Sequence, residues 1–191
     1  MDSTSKSRRA LLIVDFQNDF CPGGALPVPS GDAISSVLNR VAAEVPLVVA
    51  SRDWHPEHHV SFAERGGPWP PHCVQESWGA ELHSTLGRNR IARLFDKGTD
   101  PDRDAYSAFH GTGLAGWLRE RGVEELLIGG LATDYCVRAS VLDAREAGFA
   151  VTVIEDAVGA VDVQPGDGRR ALGEMRSHGA RVASSSGLQL D

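Results

Sequence analysis

The sequence is short of several things, and each shortage narrows what it can be. It holds three cysteines, Cys21, Cys73 and Cys136, in 191 residues. An odd and low count argues against a disulfide framework and favours a reducing compartment. Positive charge is scarce: 19 Lys and Arg stand against 26 Asp and Glu, a formal net charge of -7. Nucleic acids and anionic membranes reward basic patches, so both are poor partners for this chain. Long apolar runs are missing too. The stretch "ALLIV" after the polar, basic start "MDSTSKSRR" is too short for a signal-peptide core or a membrane span. There is no internal repeat and no low-complexity segment. What remains is ordinary: 41% hydrophobic and 24% charged residues, enough to bury a core without staples. The expectation is one cytoplasmic domain over residues 9–191 behind a loose tail, residues 1–8.

Apolar periodicity alternates along the chain. Continuous apolar runs at 10–16, 47–53, 91–97, 123–130 and 149–156, with a short one at 180–185, read as strands covered on both faces. Helical spacing appears between them. Ile34, Val37, Leu38, Val41 and Val45 mark a helix that Asp32 favours at its start and Pro46 closes. Further helices are expected at 113–122, 136–148 and 166–179, the first two ended by Gly122 and Gly148. Strands alternating with helices predict a three-layer α/β/α sandwich, Rossmann-like, on a mostly parallel six-stranded sheet. The stretch from 54 to 90 breaks the rhythm. It is rich in Pro, Gly, His and Trp, and a loop of that length inside a compact domain is usually functional.

Ligands of such sheets bind beyond the carboxyl ends of the strands. Asp15 closes the first strand, Lys97 the third, and Cys136 follows the fourth at a helix start. Alone, each has an ordinary explanation: a cap, a surface lysine, a buried thiol. Together they form an apparatus for breaking an amide bond. A helix N-terminus and an ammonium favour a thiolate. A carboxylate can take the thiol proton and return it to a leaving amine, while backbone N–H groups hold the oxyanion. A second group, "DWHPEHHVSF", brings Asp53, His55, His58 and His59 together, with His72 further on. Asp53, His55, His59 and His72 form a reasonable carboxylate and imidazole set for a divalent Zn, Fe or Mn ion. The same stretch reads equally as a polar loop that happens to be histidine-rich.

Five segments in fixed order, "IVDFQNDFCPGGAL", "SRDWHPEHHVSF", "PWPPHCV", "DKG" and "GLATDYCV", resemble the nicotinamidase/pyrazinamidase branch of the isochorismatase-like cysteine hydrolases over nearly the full length. The D-x-H-x3-H element with "WPPHCV" marks the branch. The resemblance implies Cys136 as nucleophile, Asp15 as proton-transfer carboxylate and Lys97 as third member of a triad. It implies a metal on Asp53, His55, His59 and His72, choosing His59 over His58. Phe20, Leu26, Trp69 and Tyr106 match positions that line the substrate pocket. The amides of Ala132 and Cys136 match the oxyanion hole, with a cis Leu131–Ala132 peptide. The implied reaction converts nicotinamide, or pyrazinamide, and water to the acid and ammonia through a thioester, in NAD salvage. The implied assembly extends to homo-oligomers. Another isochorismatase-like hydrolase, acting on a different small amide or carbamoyl compound, and a catalytically dead binding protein are the competing readings. A charged insert, "GTDPDRDAYSAF", separates Lys97 from Tyr106.

Overall fold

The computed structural model describes residues 8–190. Six strands form a single sheet: β1 Arg9–Val14, β2 Val48–Asp53, β3 Ile91–Lys97, β4 Glu125–Leu131, β5 Ala150–Gly159 and β6 Arg181–Ala183. Their order is β3-β2-β1-β4-β5-β6, and every neighbouring pair runs parallel. The expected sheet is thus parallel throughout. Four α-helices connect it: α1 Ser35–Glu44, α2 Leu114–Glu120, α3 Arg138–Glu146 and α4 Asp167–Ser177. The N-terminal tail expected at 1–8 lies outside the described residues except for Arg8, whose carbonyl accepts the N–H groups of Glu124 and Glu125.

The two faces of β1 explain its unbroken apolar run. Leu11 and Ile13 pack with Leu38, Val41 and Ala42 of α1. Ala10, Leu12 and Val14 pack on the opposite face with Leu114 and Leu118 of α2, Val141 and Ala144 of α3, and Met175 of α4. Side chains alternate across a strand, so a strand buried on both sides must be apolar at every position. The edge strand β3 is only partly buried. Strand β5 runs three residues beyond the expected end, because Val158 and Gly159 resume pairing with Gly130 and Leu131 after an irregularity. The Cys136 turn also differs from the expected helix start: Thr133–Val137 forms one π-helical turn before α3.

The 54–90 stretch contains short 3-10 turns, at Ala63–Arg65, Trp78–Ala80 and Arg88–Arg90, and isolated bridges that pair His55 with Val74 and Phe62 with Trp69. It covers the α1 side of the sheet, where Cys73, Ala80, Leu82 and Leu86 join the core. Strand order reverses between β1 and β4, so their carboxyl ends frame the crevice where open α/β sheets bind ligands.

Candidate active site and metal centre

Asp15 stands immediately after β1 with a positive φ of 47° and is fully buried. Its N–H reaches the Ser51 carbonyl at 3.1 Å, and its Oδ1 accepts the Ser51 hydroxyl at 2.7 Å. Lys97 ends β3 directly opposite Asp53 in the β2–β3 register. That pairing puts both side chains on the same face. The Lys97 ammonium lies 2.9 Å from Asp15 Oδ2 and 2.5 Å from Asp53 Oδ1. It also donates to the Ala105 carbonyl at 3.0 Å and meets Cys136 Sγ at 3.6 Å. All three triad residues predicted from the sequence therefore converge on one buried point.

The charges there decide the resting protonation. Burial works against a charged lysine, but Asp15 and Asp53 beside it hold the Lys97 ammonium well above its ordinary range. Burial pushes the Asp15 carboxyl up, against the pull of Lys97. Burial also pushes the Cys136 thiol well up; Lys97 opposes this, while Asp15 and Asp53 reinforce it. From the sequence, the helix start and Lys97 favour a thiolate, with Asp15 placed to take the thiol proton. Burial is the largest of these influences, so the surroundings of Cys136 favour the thiol over the thiolate despite the ammonium beside it. Asp15 Oδ2 faces Lys97 as an ion pair but accepts no hydrogen bond from the described residues. One carboxylate oxygen of Asp15 lies within 4.8 Å of Cys136 Sγ.

Cys136 opens onto a pocket lined by Phe20, Leu26, Trp69 and Tyr106, the four expected lining residues, and by Asp53, His72 and Ala132. Trp69 Nε1 donates to the Tyr106 hydroxyl at 3.0 Å, and Tyr135 meets both rings, with centroids at 5.1 and 5.9 Å. Val28, Tyr135 and Val161 also line the pocket but were not anticipated. For Tyr135 the signal was its place beside the cysteine; Val28 and Val161 carry none. The charged insert does not displace Tyr106. It folds back so that the Pro101 carbonyl takes the Val60 N–H at 2.8 Å. The Leu131–Ala132 peptide is cis. The Ala132 carbonyl accepts the N–H groups of Tyr135 and Val137, each at 3.1 Å.

On the far side of Asp53, one donor atom each from Asp53, His55 and His72 lies within 4.8 Å of the others. The Nδ1 atoms of His55 and His72 are engaged by the Gly98 and Pro70 carbonyls, at 2.9 and 2.8 Å. Such backbone partners fix the tautomer and leave Nε2 for an ion. Burial lowers the pKa of His72, which favours the neutral ring that a metal requires, whereas at His55 burial is outweighed by the neighbouring Asp53, which raises it. These features fit a divalent cation. His59 is placed differently. Its ring stacks on His55 at 4.1 Å between centroids, but its Nε2 bonds the Arg103 carbonyl at 3.0 Å. His58 is exposed and pairs with Glu64 at 2.9 Å. Cys21 and Cys73 are free and buried, as small core residues.

A buried thiol, carboxylate and amine lie together at the switch point of a parallel sheet, next to a carboxylate–histidine cluster, in a fold of the α/β class. The chain belongs to the isochorismatase domain family, whose model matches residues 9–186. It is 46% identical to a nicotinamidase of Escherichia coli (strain K12), over 91% of this chain and 93% of that one. The crystal structure of the pyrazinamidase of Pyrococcus horikoshii in complex with zinc matches it with a TM-score of 0.86 at 49% identity, covering 93% of this chain and 99% of that one. PnC1 from L. infantum, solved in complex with nicotinate, matches with a TM-score of 0.92 at 40% identity, covering 98% of both chains. No helix among the described residues is long and apolar enough to cross a membrane.

Proposed function

We propose that the protein is a nicotinamidase, hydrolysing nicotinamide, and pyrazinamide with it, to the acid and ammonia in NAD salvage. The observation that carries this reading is the shared pocket. The thiol of Cys136, the metal-type residues Asp53 and His72, and the aromatic wall of Trp69, Tyr106 and Tyr135 all face one space. A flat ring with an amide at one end and a ring nitrogen at the other uses every one of these groups.

The reaction follows from the placements. Asp15 Oδ2 takes the Cys136 proton as the sulfur attacks the amide carbon, forming the C–S bond. Backbone N–H groups of Ala132 and Cys136 hold the oxyanion. Asp15 then gives its proton to the departing nitrogen; the C–N bond breaks, ammonia leaves and a thioester remains. Asp15 next takes a proton from water, whose oxygen attacks the same carbon. The C–S bond breaks, the acid leaves and the proton returns to sulfur. Lys97 stays charged throughout and keeps both carboxylates oriented. Asp53, His55, His59 and His72 would hold the divalent ion, Zn, Fe or Mn, which supplies a Lewis-acidic partner for the pyridine nitrogen. Phe20, Leu26 and Trp69 exclude water around the ring.

Purified protein should release ammonia from nicotinamide, and Cys136→Ala should abolish that release while leaving the far-UV circular dichroism unchanged. Benzamide, with the same amide but no ring nitrogen, should show a far lower kcat/KM. Appreciable turnover by Cys136→Ala would refute the thioester route. Equal kcat/KM for the two amides would refute the role given to the ion.

A further inference from the structure

Three consecutive residues of the first motif, Gln17, Asn18 and Asp19, have no part in the chemistry above, yet all are buried. Each reaches across the chain. Gln17 Nε2 donates to the carbonyls of Asp53 and Ala80, at 2.8 and 2.9 Å, while its Oε1 accepts the Asp53 N–H at 2.8 Å. Asn18 Nδ2 donates to the Trp78 carbonyl at 2.7 Å. Asp19 spans the pocket wall and the metal cluster. Its Oδ1 accepts the Ala25 N–H at 3.0 Å, and its Oδ2 accepts the N–H of Cys73, next to His72, at 2.7 Å. Its own carbonyl accepts the Leu26 N–H at 2.9 Å.

The chain is cut to fit around this carboxylate. A Cβ placed on Gly79 would lie 2.0 Å from Asp19 Oδ2, and one placed on Gly24 would lie 2.4 Å from Asp19 Cα. A carboxylate so enclosed, with both oxygens committed to backbone N–H groups, has no room to meet substrate. Its hydrogen bonds go to neither Asp15, Lys97 nor Cys136. An ionised carboxylate offers acceptors on both oxygens, whereas an asparagine must turn an NH2 group towards one of the two N–H donors.

We propose that Asp19 is a positioning residue: its carboxylate sets the distance between His72 in the metal cluster and the Phe20–Leu26 wall of the pocket. The proposal rests on the nicotinamidase reading for its substrate arm, but its metal arm stands separately. It predicts that loosening the clamp disturbs the seating of ion and ring while the thiol keeps its reactivity.

The test compares the full-length wild type with Asp19→Asn and with Gly79→Ala, which leaves the carboxylate in the chain but displaces it. Cobalt(II) affinity is read from its visible absorption, kcat and KM are measured with nicotinamide, and alkylation of Cys136 by iodoacetamide is followed by peptide mass spectrometry. In Asp19→Asn, cobalt binding should weaken by about 10–100-fold, the usual cost of losing a residue that orients a metal ligand, with an altered spectrum. KM should rise by a larger factor than kcat falls, and Cys136 should be alkylated at the wild-type rate. Gly79→Ala should follow the same pattern. Wild-type cobalt affinity and KM in Asp19→Asn would overturn the proposal. So would an equal loss of cobalt binding, thiol reactivity and helical circular dichroism, which would make Asp19 a general structural residue. A wild type that binds cobalt but releases no ammonia from nicotinamide would sink the functional reading alone, and the cobalt comparison would still judge the clamp.

Discussion

Lys97 is the residue on which the buried charges balance. It lies within 2.9 Å of Asp15 and 2.5 Å of Asp53, and all three side chains are buried. Replacing it with alanine strands two buried carboxylates, and breaking a buried pair typically costs about 3–5 kcal/mol. Lys97→Ala should therefore lose both turnover and a large part of its stability, read as a fall in the urea midpoint. Asp15→Asn should be milder for the fold, since it removes one of the two negative charges that Lys97 serves. Its kcat should still drop by about 10²–10⁴-fold, the usual scale for a lost general acid–base. Because the two residues act as a unit, the double variant should lose less than the product of the single losses. A fully multiplicative result would show them working independently. Among the histidines, His55 and His72 already present donors beside Asp53, whereas His59 must exchange its bond to the Arg103 carbonyl. Zinc affinity, measured by chelator competition, should accordingly fall further in His55→Ala than in His59→Ala.

At the scale of elements, the meeting of β1 and β4 controls the crevice. Gly130 of β4 pairs with Val14 of β1, has a φ of 124°, and would put a Cβ 2.0 Å from the Val14 carbonyl oxygen. Both the backbone conformation and the space demand glycine. Gly130→Ala should lower stability by at least about 1–3 kcal/mol, the cost of holding a non-glycine residue in such a conformation; an unchanged denaturant midpoint would refute this. The span of β3 was legible to the residue because its apolar run ends in the charged pair Asp96 and Lys97 at the loop. The extension of β5 was not. Val158 and Gly159 continue the strand only because β4 offers partners after its irregularity, and nothing within 150–159 announces that. Of the π-helical turn at Thr133–Val137, only Cys136 and Val137 were legible, as the start of an ordinary helix, because the turn's geometry comes from joining β4 to α3.

For the whole molecule, the metal cluster joins the end of β2 to the long 54–90 loop. An ion bound there stabilises the folded state by mass action, about 2.7 kcal/mol at a free concentration one hundred times its Kd. The midpoint of thermal unfolding should rise with added zinc in the wild type and stay flat in His55→Ala; equal shifts in both would place the ion elsewhere. The sequence by itself determined the alternation of strands and helices and the placing of Asp15, Lys97 and Cys136 at strand ends, while the pocket's four lining residues came from its resemblance to a family. Strand periodicity, chain reversals and side-chain chemistry are local, and local features survive in a one-dimensional string. Only the tertiary structure decided the burial and charge surroundings of Cys136, the commitment of His59 and the hydrogen bonds of Asp19. Protonation depends on how much water and which charges surround a thiol. The Asp19 clamp joins residues 54 positions apart, and a side-chain bond to a distant backbone N–H leaves no periodicity in either segment.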